Sequence, residues 1–137
     1  FLDRLLITRT PRLAGVIADY ERVVKQRNAL LKTRTSAAAL APWNEQLIKL
    51  GAELTAERIS LIDALNPHVA KNYANLNEVK PASISYKCST EGVTRNINEN
   101  IAALTARLDE VILRCSTKRL VTLPTYIKLN DPNFEEE

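Results

Sequence analysis

The stretch TPRLAGVIADYERVVKQRNALLKT, residues 10–33, decides the fold. Leu13, Val16 or Ile17, Tyr20, Val23 or Val24, and Leu30 or Leu31 recur at spacings of three and four. Residues so spaced form one apolar stripe on an α-helix. Arg27 interrupts the stripe. At the start, Thr10 can cap, and Pro11 suits the first helical position, where its missing N–H costs nothing. The pattern ends near Thr33 to Ser36, giving a helix about 33 Å long.

A second stripe follows a turn at Ser36 to Pro42. Pro42 opens it, and Trp43, Leu47, Leu50, Leu54, Leu61 and Leu65 repeat at the same spacing, with Glu57 and Arg58 interrupting. Asn66-Pro67 reads as a break, since Asn66 is a good cap and Pro67 a good first residue. A shorter helix then carries Val69, Tyr73 and Leu76. Two long stripes joined by a short connection predict an antiparallel helical hairpin, residues 10–35 against 41–66, with Trp43 buried. Arg27 and Arg58 are expected to snorkel to the edge of the seam. The alternative is register-fixing pairing with a carboxylate, for which Glu53 and Glu57 are at hand.

The period changes after Lys80-Pro81. Ala82, Ile84, Tyr86 and Cys88 alternate with Ser83, Ser85 and Lys87, the mark of a half-buried strand. Glu91-Gly92 turns the chain. A third amphipathic helix, capped at Thr94 or Asn96, presents Ile97, Ile101, Leu104, Leu108, Val111 and Cys115. Leu120 to Leu123 and Thr125 to Leu129 read as short strands parted by Pro124, and Asn130 to Glu137 as an acidic tail that frays. The predicted class is mainly α: an antiparallel, coiled-coil-like hairpin with a third amphipathic helix and a few short β-strands. The expected divisions are a hairpin arm at 1–79, a strand-helix-strand return at 80–129, and the tail at 130–137. Composition agrees: 45% hydrophobic but only 5% aromatic, with three glycines, favours helix packing over a barrel or sandwich. The chain begins at Phe1, as a processed chain or a piece of a longer one would.

Little chemistry is offered. Glycines at 15, 51 and 92 cannot build a phosphate-cradling loop. His68 has no Ser or Cys neighbour at a recognisable spacing and reads as a solvated helix-start residue. Cys88 and Cys115 stand apart from any metal-ligand cluster and read as reduced thiols. Glu53, Glu57 and Asp63 read as a wet helix face, and Tyr20 and Trp43 as core anchors rather than base-stacking platforms. No cofactor, no metal and no enzymatic activity are expected. No run is apolar enough for a membrane helix or a signal-peptide core.

Charge is uneven. Residues 1–34 hold eight basic and three acidic side chains, a balance of +5, whereas residues 35–78 hold three and five, a balance of −2. Arg4, Arg9, Arg12, Arg22, Lys25 and Lys32 are the candidate contacts for nucleic acid or a partner protein. The bland reading is a solvated face, partly neutralised by Glu53 and Glu57 of the second helix.

Several segments, in order, resemble the RecF family: Phe1-Leu2-Asp3-Arg4-Leu5-Leu6; Asp19-Tyr20-Glu21-Arg22 with Lys25-Gln26-Arg27-Asn28-Ala29-Leu30-Leu31-Lys32; Trp43-Asn44-Glu45-Gln46-Leu47; Gly51-Ala52-Glu53-Leu54 and Arg58; Asn66-Pro67; and Ile84-Ser85-Tyr86. The likeness is good over about residues 1–90 and looser to about Leu113. It implies the helical arm that interrupts an ABC-type ATPase head. It implies a parent that binds ATP, forms a homodimer upon it, binds gapped DNA, works with RecR- and RecO-type repair proteins to load RecA, and is cytoplasmic and nucleoid-associated. The head's nucleotide motifs are not in this sequence, so ATPase activity does not carry over. Thr122-Leu123-Pro124-Thr125-Tyr126-Ile127 departs from the Gly-Pro-His-Arg-Asp-Asp stretch to which the family's strand leads. The competing readings are a bracing module with no contacts of its own, and an unrelated helical adaptor.

Overall fold

A computed structural model describes residues 1–33, 35–76, 82–114 and 125–130, with side chains up to residue 109. The elements are α1 (Leu2–Arg9), α2 (Leu13–Lys32), α3 (Ala37–Leu76), β1 (Ser83–Cys88), α4 (Ile97–Arg114) and β2 (Thr125–Asn130). The class is mainly α, as the stripes predict. Cys115, Val111's side chain, the expected strand at 120–123 and tail residues 131–137 lie outside what is described.

α2 and α3 form the hairpin. Leu13, Ile17, Tyr20 and Val24 of α2 meet Leu54 and Leu61 of α3 in one buried cluster, with Leu47, Leu50 and Leu65 packed against it. Leu6 of α1 completes the cluster. The helical segment 2–9 is the first correction, because the expected helix starts only at Thr10. Thr10 does not cap α2: its backbone N–H donates to the Leu6 carbonyl, closing α1, and α2 has no side-chain cap. Thr10, Pro11 and Arg12 instead form a turn whose carbonyls accept from Leu13, Ala14 and Gly15.

α3 is the second correction. It runs 40 residues without the break expected at Asn66-Pro67, and it starts five residues before Pro42. Ser36 is its cap, its hydroxyl accepting from the Ala39 N–H at 3.3 Å. Each proline deprives the residue four before it of a hydrogen bond. Those residues, Ala38 and Asp63, are exposed, as are the prolines, so water can satisfy the freed carbonyls. The chain also has reason to continue, since α3 is buried on more than one side. Leu54 and Leu61 face α2, while Ala52, Thr55, Ala56 and Ile62 are buried as well and α4 and β1 pack on α3.

Trp43 is half-buried rather than buried, sitting near the connected end of the hairpin, seven residues into α3. The strand expected from alternation is present as β1. It pairs antiparallel with β2 from Ser83 opposite Asn130 to Cys88 opposite Thr125. The turn residue Gly92 has φ of 80°, the left-handed region that favours glycine. Asn96 caps α4, accepting from the N–H groups of Asn98 and Glu99, and Leu104 and Leu108 bury its apolar face.

Candidate nucleic-acid and partner interface

The six candidate cations sit on α1, on α2 and in the turn between them, and their side chains meet different fates. Arg12 donates to Glu53 at 2.6 Å and to Glu57 at 3.5 Å, joining the turn before α2 to α3. The Glu53 hydrogen bond, and then its charge, raise the Arg12 pKa. Arg22 pairs with Asp19 one turn earlier on the same helix at 2.9 Å. Arg9 donates to the Ser60 hydroxyl, a neutral acceptor, at 3.3 Å and makes no ion pair among the described residues. Arg4, Lys25 and Lys32 are exposed and make no ion pair among the described residues. The structure thus brings Lys25 and Lys32 together on one face of α2, where both line the same groove, and sets Arg4 and Arg9 apart on α1.

The seam arginines do not snorkel. Arg27 is 3% exposed, and its Nε donates to Asn44 Oδ1 at 2.6 Å across the hairpin. Burial lowers its pKa. No carboxylate pairs with it among the described residues. Arg58 pairs with neither Glu53 nor Glu57. It grips Asp3 of α1 with two parallel bonds, Nε to Oδ1 and Nη2 to Oδ2, both 2.8 Å. Its side chain is 12% exposed. Burial alone would lower its pKa, but the Asp3 hydrogen bond and the neighbouring Tyr86 hydroxyl outweigh that and raise it. One guanidinium on α3 thus holds α1.

Two asparagines complete the bracing, and sequence periodicity gave no sign of either role. Asn66 does not cap a helix. Its amide donates to the Ile84 carbonyl and accepts from the Ile84 N–H, each at 2.8 Å, so a helix side chain occupies the free edge of β1. Asn100 is 0% exposed; its Nδ2 donates to the Ala52 carbonyl at 3.1 Å and the Thr94 carbonyl at 2.8 Å, and its Oδ1 accepts from the Thr94 N–H. Lone polar residues at helix positions carry no periodic signal, so only spatial placement reveals them.

His68 is exposed, and Asp63 pairs with Arg95 at 3.4 Å. Cys88 is a free, half-buried thiol. Among the described residues no group of three His, Cys, Asp or Glu side chains is placed to hold a metal ion. Nor, among them, is any helix long and apolar enough to cross a membrane.

No family model matches the chain. It is 41% identical over 121 residues to the DNA replication and repair protein RecF of Streptomyces avermitilis, an alignment covering 80% of this chain and 32% of that protein. It is likewise 41% identical over 99 residues to the protein of the same name from Pseudarthrobacter chlorophenolicus, covering 66% of this chain and 25% of the relative. The chain thus spans a third or less of the length of these relatives.

Proposed function

Because this chain is a segment of the RecF family, we propose that it is the helical arm of a DNA replication and repair protein, holding a surface for a partner protein and making weak, secondary contacts with DNA. The observation that carries this reading is the contrast between spent and unspent charge. Arg12, Arg22 and Arg58 each engage a carboxylate. Arg4 and Arg9 on α1, and Lys25 and Lys32 on α2, make no ion pair among the described residues. Cations left facing solvent attract phosphates and acidic protein surfaces alike. The arm itself is non-catalytic in this reading. Nucleotide hydrolysis belongs to an ATPase head whose phosphate loop this sequence does not contain. RecR- and RecO-type repair proteins are the partner class in view, the working form is a homodimer, and the setting is the cytoplasmic nucleoid. The boundaries 1–79, 80–129 and 130–137 are retained as arm, return segment and tail.

The bracing module is the second reading, favoured by the Asp3–Arg58 and Arg27–Asn44 contacts. A fluorescent gapped duplex titrated with this chain at low salt separates the two. Binding that disappears when Arg4, Arg9, Lys25 and Lys32 are all replaced by Glu supports the arm as a contact surface. Binding that survives all four replacements sinks it, and no binding at all, to duplex or to protein, leaves bracing.

A further inference from the structure

Glu53, Glu57 and Ser60 stand four and then three residues apart on α3, on one stripe of that helix. The stripe meets the segment that leads from α1 into α2. Arg12 engages the first two positions, its Nη1 donating to Glu53 at 2.6 Å and its Nη2 to Glu57 at 3.5 Å. Arg9 engages the third and finds only the Ser60 hydroxyl, at 3.3 Å. One helix face thus treats two nearby guanidiniums differently. The Arg12 side chain is still 59% exposed, so it stays within reach of a solvent-borne ligand. Its single positive charge faces two carboxylates, which leaves a local balance of −1.

Carboxylate and phosphate oxygens are interchangeable acceptors for a guanidinium. A phosphate that approaches Arg12 must therefore displace Glu53 and Glu57, and it is repelled by the charge that Arg12 does not neutralise. The exchange is not forbidden, because exposed ion pairs contribute little to stability. It is a competition that two resident carboxylates bias against the ligand. We propose that Glu53 and Glu57 are an intramolecular competitor for phosphate, an autoinhibitory contact that withholds Arg12 from duplex DNA and interrupts the basic run between Arg9 and the lysines of α2. This competition presupposes that the cations of the arm meet duplex phosphates, as in the reading above, and it sets how tightly they do so.

The probe is a fluorescent gapped duplex, titrated with the whole 137-residue chain at several salt concentrations. Glu53→Gln with Glu57→Gln keeps the side-chain shapes and removes both charges. That variant is expected to bind more tightly and to steepen the log–log salt slope by about 0.9, one phosphate contact more. Its affinity should then fall a further ~3.5-fold across a roughly fourfold rise in salt. Arg12→Ala in the same background should return the slope to that of the parent chain. The charge-matched control is Glu45→Gln with Glu91→Gln; both residues are exposed and make no ion pair among the described residues. It should leave the slope unchanged. Circular dichroism should be the same for all variants. If the parent chain binds and Glu53→Gln with Glu57→Gln alters nothing, the proposal fails though the arm reading stands. It fails likewise if the control steepens the slope equally, which would make the effect one of net charge, or if Arg12→Ala does not reverse the gain. Should neither the parent chain nor the glutamine variant bind duplex, both readings fall together.

Discussion

A guanidinium that is 3% exposed and bonded to a neutral amide, as Arg27 is to Asn44, sits in the hairpin at a cost. A buried ion is tolerated when every donor is satisfied, and replacement by an apolar side chain of similar length is often neutral or better. Arg27→Met is therefore expected to change stability little. Asn44→Ala removes the acceptor and leaves the charge, and is expected to cost about 1–3 kcal/mol. Urea denaturation of the two variants checks the asymmetry; equal losses would mean that Arg27 contributes by packing alone. Arg58 differs, because its partner is a carboxylate. Asp3→Asn keeps the shape but removes the charge, and is expected to cost about 1–2 kcal/mol, reduced from the fully buried case because the Asp3 side chain is 38% exposed. Thermal melts of Asp3→Asn, Arg58→Met and the double variant would show whether the pair is coupled. Neither contact was legible in the sequence. Periodicity showed that Arg27 and Arg58 interrupt the stripes, but a side chain of that length reaches several alternatives, and the acceptor is chosen by neighbouring elements.

The stripes at residues 13–31 and 43–65 placed α2 and the middle of α3 correctly, because burial of a whole helical face dominates local preference. Alternation placed β1, and Asn96 its following cap, for similarly direct reasons. The continuity of α3 was not legible. Asn66-Pro67 has the chemistry of a helix start, yet the Asn66 side chain is committed to Ile84, which sequence neighbours cannot disclose. α1 was missed because eight residues hold barely two turns and no side chain caps them. Among the site residues, Lys25 is exposed as its place off the stripe implies, whereas at Arg12 the neutralising alternative is the one found, with Glu53 and Glu57 meeting it from α3. Two outcomes follow for the elements. Asn66→Ala strands both polar groups of Ile84 and is expected to cost about 2–4 kcal/mol, with faster amide exchange at Ile84 while α2 stays protected. Pro67→Ala restores an N–H for the Asp63 carbonyl, and is expected to stabilise by about 1–3 kcal/mol after the added freedom of the unfolded chain is counted. A lower denaturation midpoint for Pro67→Ala would show that the proline shapes α3 to deliver Asn66 to the strand.

For the molecule as a whole, the uncompensated cations lie along its length rather than in one patch. If Arg4, Arg9, Lys25 and Lys32 all meet phosphates, log affinity should fall with log salt with a slope of about −3.6, near −0.9 per contact. Arg9 lies before α2 and Lys32 is its last residue, and the 20 residues of α2 span about 30 Å, close to one duplex turn. Duplexes much shorter than that should give a slope of about half, and an unchanged slope would mean that one end of the arm does all the binding. The same length has a mechanical side. Arg58 joins α1 to α3 at one point, and Trp43 stands fifteen residues, or about 22 Å, along α3 from it. With that junction as a fulcrum, a tilt of about 10° would swing the Trp43 end through about 4 Å. A small rotation delivered at the root would thus arrive at the far end as a displacement wider than a water molecule, so the hairpin can gear a slight motion into making or breaking a contact.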